Sequence, residues 1–179
     1  MIYFYYVILG IVLLVLCVIT FYTCSLLVGL IRAKGVPYVP LSKKQLAFLN
    51  ENIKLNENDK DIDFGSGDGR VLRMFEKQGV KYLTGYDVNL WAILLGKIKN
   101  KITNSKVNLQ HKNFKSLNIG EFNKVFCYLL EGQLSKLQNK FEAELKPGAE
   151  VICFSFEVKG WKRLKVITNG KHRIFVYTI

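Results

Sequence analysis

Asp61-Ile62-Asp63-Phe64-Gly65-Ser66-Gly67-Asp68-Gly69-Arg70 sets an acidic residue at the end of a short apolar run and three glycines at alternate positions after it. Glycine has no Cβ, so such a loop can turn sharply and bring its backbone close to a ligand. Val71-Leu72-Arg73-Met74-Phe75 then reads as the first turns of a helix. A glycine loop between a strand end and a helix is where open α/β sheets bind nucleotide-like ligands. The dinucleotide fingerprint G-x-G-x-x-G does not fit, because its third glycine would fall on Arg70. Asp87 stands 22 residues beyond Gly65, at the end of a second apolar run. A carboxylate near that offset binds ribose hydroxyls in Rossmann-type sites. Asp87 could also serve as a strand-end turn residue, and either it or Asn89 could cap the helix that follows.

Regular elements must hold these groups in place. Two prolines make Val36-Pro37-Tyr38-Val39-Pro40 an extended linker. Ser42 can cap a helix over 43–52, with Leu46, Leu49 and Ile53 on one face. Strands are predicted at about 60–64, 81–87, 106–111, 124–129 and 150–156. Helices are predicted at about 70–78 and 89–101, and through Leu134, Leu137, Phe141 and Leu145. Lys146-Pro147-Gly148 stops the last of these. Asn169-Gly170, between 164–168 and 172–178, is a strong two-residue hairpin signal. Strands alternating with helices and closed by a hairpin give an α/β fold, mainly parallel with an antiparallel edge. Trp161 is expected to pack at the hairpin base. His111 and His172 lack a partner pattern and read as satisfied or exposed.

The chain of 179 residues is long enough for one domain and an appendage. Its first 31 residues carry no charged side chain. A helix needs roughly 20 apolar residues to cross a bilayer, so 1–31 reads as a retained transmembrane anchor. A signal peptide is disfavoured by the missing basic n-region, the length of the apolar run and the missing small-x-small site. The span is expected to contribute nothing to the α/β core. Arg32, Lys34, Lys43 and Lys44 follow it with no Lys or Arg before it, which sets the domain on the cytoplasmic side. The formal charge of +12 belongs to 32–179 and would draw the domain onto an anionic membrane lipid surface. The basic residues are scattered and no nucleic-acid motif accompanies them, which argues against nucleic acid as a partner. A merely solvated basic face is the other reading. Cys17, Cys24, Cys127 and Cys153 have neither metal nor disulfide spacing and read as reduced packing residues.

The loop G-x-G-x-G preceded by Asp63 resembles the first motif of class I S-adenosylmethionine-dependent methyltransferases. Pro37-Tyr38-Val39-Pro40, that loop, Gly85-Tyr86-Asp87-Val88-Asn89 and Lys146-Pro147-Gly148-Ala149 occur in one order. Together they are similar to a membrane-anchored group that includes the lysine methyltransferases of the ATP synthase c subunit and of the adenine nucleotide translocase. The resemblance covers about 36–179, and a preceding anchor is also a feature of the group. It implies a Rossmann-like class I methyltransferase sheet with a terminal antiparallel hairpin, preceded by one transmembrane helix. The organisation is then an anchor at 1–31, a linker at 32–42 and a methyltransferase domain at 43–179.

The resemblance further implies S-adenosyl-L-methionine as cofactor, bound by Asp63, Gly65, Ser66, Gly67, Gly69, Asp87, Asn113, Phe114 and Tyr38. In this class an acidic residue often accepts a bond from the adenine amino group where Asn113 stands, and an Asn carbonyl oxygen can do the same. Tyr38 could close over the cofactor from the linker. The expected acceptor is a lysine on a membrane-associated protein. Glu131 and Tyr128, at the end of the fourth strand, are the candidate catalytic groups for removing its proton. Relatives commonly have Asp in place of Asn113 and proline in place of Glu131. No Asn/Asp-Pro-Pro-Tyr motif is present. The alternatives are a methyltransferase of a lipid, quinone or other small amphiphile, and a non-catalytic cofactor-binding scaffold.

Overall fold

The computed structural model describes residues 1–32, 38–162 and 165–179. The predicted positions Lys34, Val36, Pro37 and Leu164 lie outside the described residues. The first element is α1, Ile2–Arg32, of which Ile2–Gly29 is long and apolar enough to cross a membrane. Next comes α2, Lys43–Asn52, opened by a capping box. Gln45 donates its backbone N–H to Ser42 Oγ, and Gln45 Oε1 accepts from Ser42 N–H.

Then β1 (Lys60–Phe64), α3 (Arg70–Glu76), β2 (Tyr82–Asp87), α4 (Leu90–Thr103) and β3 (Asn108–His111) alternate. They are followed by β4 (Lys124–Cys127), α5 (Glu131–Leu134), α6 (Gln138–Glu144), β5 (Glu150–Phe154), β6 (Lys165–Thr168) and β7 (Arg173–Thr178). The seven strands form one sheet in the order β3-β2-β1-β4-β5-β7-β6. The first five run parallel, and β7 is antiparallel to both β5 and β6. This is the α/β sheet with a terminal antiparallel hairpin that the sequence predicts.

Period-two alternation divides the core between the two faces of the sheet. Phe126, Ile152, Phe154, Ile174 and Val176 pack with Leu49, Leu72, Phe75 and Ile93 of α2, α3 and α4. Val125, Cys127, Val151, Cys153, Phe175 and Tyr177 pack on the other face with Leu134, Phe141 and Leu145. Cys127 and Cys153 are register partners, free and buried, as the packing reading requires. Trp161 stacks on Tyr177 at 4.9 Å and on Phe141 at 5.9 Å, at the hairpin base.

Several boundaries differ from the sequence reading, each for a local reason. The helix through 134–145 is broken into α5 and α6. Lys136 N–H bonds Gln133 O and Leu137 N–H bonds Leu134 O, tight three-residue turns between the two pieces. Leu134, Leu137, Phe141 and Leu145 are still all buried. Strand β3 starts later than 106, because Lys106 N–H donates to Glu76 Oε1 and Val107 O accepts from Asn100 Nδ2. Strand β5 stops at Phe154, since Ser155 has φ +69.

Helix α1, expected to contribute nothing to the domain, differs most. Its first 24 residues are exposed, but Ser25 and Gly29 are buried and the last turns pack on the start of α4.

Candidate functional site

The glycine loop is built from backbone bonds at the carboxyl end of β1. Gly65 and Ser66 N–H both donate to Tyr86 O at the end of β2, and Gly69 N–H returns to Ser66 O. Gly67 has φ +55, and a Cβ there would sit 2.2 Å from Cε2 of Tyr38. Only a residue without a side chain lets the Tyr38 ring lie on the loop. Gly69, in the left-handed region, opens α3 and faces Leu109.

Asp68 locks the loop from behind. Its carboxylate pairs with Arg70 at 2.8 Å and Lys99 at 2.6 Å, and Arg73 Nη1 bonds both Asp68 O and Asn100 Oδ1. Burial opposes ionisation of Asp68, but the hydrogen bonds from Arg70 and Lys99 hold it down to about 2. Sequence reasoning gave Asp68 no role. Its signal was the basic residues at Arg70, Arg73 and Lys99, which only the packing of α3 against α4 brings together.

Asp87 ends β2 and is buried. Its Oδ2 accepts from Gly67 N–H at 2.8 Å and its Oδ1 from Asn89 N–H at 2.7 Å. Burial pushes this carboxyl up, against the pull of those backbone bonds. Asn89 caps α4 through Ala92 N–H. Asp63 lies under the loop, and burial together with the charges of Asp61, Asp87 and Asp68 pushes it well above the usual carboxyl range.

A cavity of about 600 Å³ opens at this end of the sheet. Its walls bring together Tyr38, Gly65, Asp87, Asn113, Phe114 and Tyr128 from the predicted set. Phe114 is held by stacking on Phe64 at 4.6 Å. Asn113 is exposed and its Oδ1 accepts from Lys115 N–H, capping a short 3₁₀ turn at Phe114–Ser116. Burial raises the Tyr38 phenol above its ordinary range. Asp63 and Ser66 instead line a small recess beside Tyr38, Asp68 and Arg70. The buried Ser66 hydroxyl has no hydrogen-bond partner among the described residues. Gly67 and Gly69 line neither space.

Glu131 is also outside the cavity lining. It is the first residue of α5, with its carboxylate on Lys159 at 2.5 Å. Its neighbours Leu129, Leu130 and Gln133 line the cavity, as does Phe156. Sequence reasoning missed Tyr22, Leu26, Leu27 and Gly29 of α1, which form a further part of the wall, and Lys115, which also lines it. Ser25 and Gly29, four apart, were the available signal, because small residues at that spacing let a helix approach a neighbour closely.

Residues 63–165 match the family described as the ANTKMT methyltransferase domain. A protein-lysine N-methyltransferase of Saccharolobus islandicus (strain REY15A) is 32% identical over 151 residues, covering 80% of this chain and 94% of that protein. The adenine nucleotide translocase lysine N-methyltransferase of Mus musculus is 27% identical over 146 residues, covering 80% of this chain but 63% of that protein. The fold is that of an RNA methyltransferase from Salinibacter ruber solved with S-adenosyl-L-homocysteine. The TM-score is 0.73 at 24% identity, over 79% of this chain and 94% of that one.

S-adenosylmethionine presents ribose hydroxyls, a sulfonium and a flat purine. A cavity bordered by a buried carboxylate, a glycine and the Phe114 ring fits that group. With this fit and with the match over 63–165, the chain belongs to the ANTKMT methyltransferase domain family and is an S-adenosylmethionine-dependent methyltransferase.

Proposed function

We propose that this enzyme is anchored in a membrane by α1, faces the cytoplasm, and methylates lysine on a membrane-associated protein. The observation that carries this reading is one cavity whose lining joins Gly65, Asp87, Asn113 and Phe114 to Tyr128 and the apolar Leu129, Leu130 and Phe156, with Leu129 against Gly65. A cofactor and an acceptor group can therefore meet in one space. The protein-lysine substrates named for the relatives from Saccharolobus islandicus and Mus musculus support lysine as acceptor. The apolar helix Ile2–Gly29 and the basic residues after it support the anchor and its sidedness.

In this scheme Asp87 would accept from the ribose hydroxyls, and Phe114 and Asn113 would hold the adenine. Gly65, Ser66, Gly67 and Gly69, supported by Asp63, would hold the methionine part, and Tyr38, which lies on the loop, would cover it. The cofactor supplies a methyl group already activated on sulfur. What the chain must add is alignment of the acceptor and loss of its proton. Leu129, Leu130 and Phe156 surround the incoming amine with apolar atoms, which favours its neutral form. Tyr128 lines the cavity and would stand beside the acceptor, whereas Glu131 is paired with Lys159 and is not among the lining residues.

The test is labelled methyl transfer into membranes of a strain lacking the gene, with protein separated from lipid and the label located by mass spectrometry. The expected product is methylated lysine Nζ in the protein fraction. Label in the lipid fraction would favour the small-amphiphile reading, and no transfer into membranes would overturn a membrane-associated acceptor.

A further inference from the structure

The end of α1 is bonded to the cofactor side of the cavity. The first N–H groups of a helix have no partner within it. In α4, Asn89 Oδ1 accepts from Ala92 N–H at 3.2 Å. The Trp91 N–H is satisfied by Ser25 Oγ at 2.9 Å, from 66 residues earlier in the chain. That hydroxyl can donate in turn to Asn89 Oδ1 at 3.5 Å. Gly29 brings the α1 backbone against the same residue, since a Cβ there would meet three Asn89 side-chain atoms at 3.4 Å. Phe21 and Tyr22 pack edge-on to the Trp91 ring at 5.8 and 5.4 Å.

Asn89 N–H bonds Asp87 Oδ1, and Asp87 Oδ2 bonds Gly67 N–H. A polar chain therefore runs from Ser25 through Asn89 and Asp87 to the glycine loop. Tyr22, Leu26, Leu27 and Gly29 face the cavity alongside it.

We propose that α1 forms the ribose-side wall of the cofactor cavity, with Ser25, Tyr22 and Leu26 as positioning residues, so that S-adenosylmethionine binds tightly only while the membrane helix is seated on α4. It rests on the ribose reading of Asp87. Unseating α1 removes a wall and frees the Asp87–Asn89 turn, so apparent affinity falls with the fraction of molecules that are seated. The anchor is then part of the binding site as well as a tether.

The experiment uses the full chain in lipid nanodiscs and S-adenosyl-L-homocysteine as probe, with calorimetry as readout. Thr and Val have the same shape, so the pair Ser25→Thr and Ser25→Val isolates the hydroxyl. Ser25→Val should weaken binding about fivefold, the worth of one neutral hydrogen bond. Ser25→Thr should stay within about twofold of wild type, as should Val28→Ala on the exposed side of α1. Tyr22→Ala should weaken binding as Ser25→Val does. Wild-type affinity in both Ser25→Val and Tyr22→Ala, with Asp87→Ala impaired, overturns the proposal and leaves the ribose reading standing. Wild-type affinity in Asp87→Ala overturns the ribose reading itself, and the proposal with it. An equal loss in Val28→Ala means a general disturbance of the helix and overturns it too.

Discussion

Asp87 Oδ2 accepts the backbone N–H of Gly67 at 2.8 Å, binding the end of β2 to the turn of the glycine loop. Two residues singled out from sequence for a shared ligand therefore also hold each other. A change at either one alters the cradle as well as its direct contact.

Gly67→Ala is expected to be costly for two reasons, a left-handed φ of +55 and a Cβ 2.2 Å from the Tyr38 ring. The backbone part amounts to about 1 kcal/mol, and the ring must move off the loop. Calorimetry with S-adenosyl-L-homocysteine should show binding at least about tenfold weaker. Undiminished affinity in a folded variant would mean that Tyr38 does not cover the cofactor.

Asp87→Ala removes a charged acceptor, which costs about tenfold to a hundredfold in affinity. Burial raises the Asp87 carboxyl, so the acceptor is neutralised at a higher pH than an exposed carboxylate would be. Wild-type affinity should fall with decreasing pH, starting above the ordinary carboxyl range. Asp87→Asn should bind weakly with a flatter profile, and parallel profiles would remove Asp87 from the site.

Asp61 carries a pH signature in stability. It is fully buried in β1, both carboxylate oxygens lack partners among the described residues, and burial with nearby Asp59 pushes it to about 8, against the charge of Lys124. The unfolded value is about 3.9, so the folded chain favours the protonated form. The contribution is full below about 3.9 and is lost as pH rises through about 8. Asp61 helps to raise Asp63, so the difference between wild type and Asp61→Asn reports Asp61 together with its coupling to Asp63. The thermal midpoints should separate in favour of Asp61→Asn as pH rises, then run parallel above about 8. A constant difference across the range would contradict this assignment.

Glu131→Gln should leave turnover and cofactor affinity within about twofold of wild type at every pH, as for a surface change away from the reacting groups. Its carboxylate is on Lys159 and outside the cavity lining. Tyr128→Ala opens the acceptor wall and should slow turnover about tenfold through misalignment, with little change in cofactor affinity. A Glu131→Gln loss that shrinks as pH rises would restore Glu131 as the proton acceptor.

The sequence by itself determined most of the elements and the strand ends at which the candidate site residues stand. Asp63, the three glycines and Asp87 were legible because each depends on local geometry: a strand end, a left-handed turn, a fixed offset along one βαβ unit. Ser42 was readable for the same reason, since a cap is set by a few adjacent residues. Asn169-Gly170 marked the hairpin, but the pairing of Thr168 with Arg173 and the bond from Asn169 N–H to His172 O centre its turn on Gly170-Lys171. Tertiary structure decided what depends on distant partners. Asp68 draws Arg70, Arg73 and Lys99 from two helices, and Glu76 and Asn100 trim β3 from outside it. Glu131 and Tyr128 are three residues apart, yet Tyr128 in the turn after β4 lines the cavity while Glu131, at the start of α5, pairs with Lys159 outside it. The span looked uniform because hydropathy reports solvent preference. It does not report which helical face meets a neighbour, and the seat of Ser25 on Trp91 exists only once α1 and α4 are packed together.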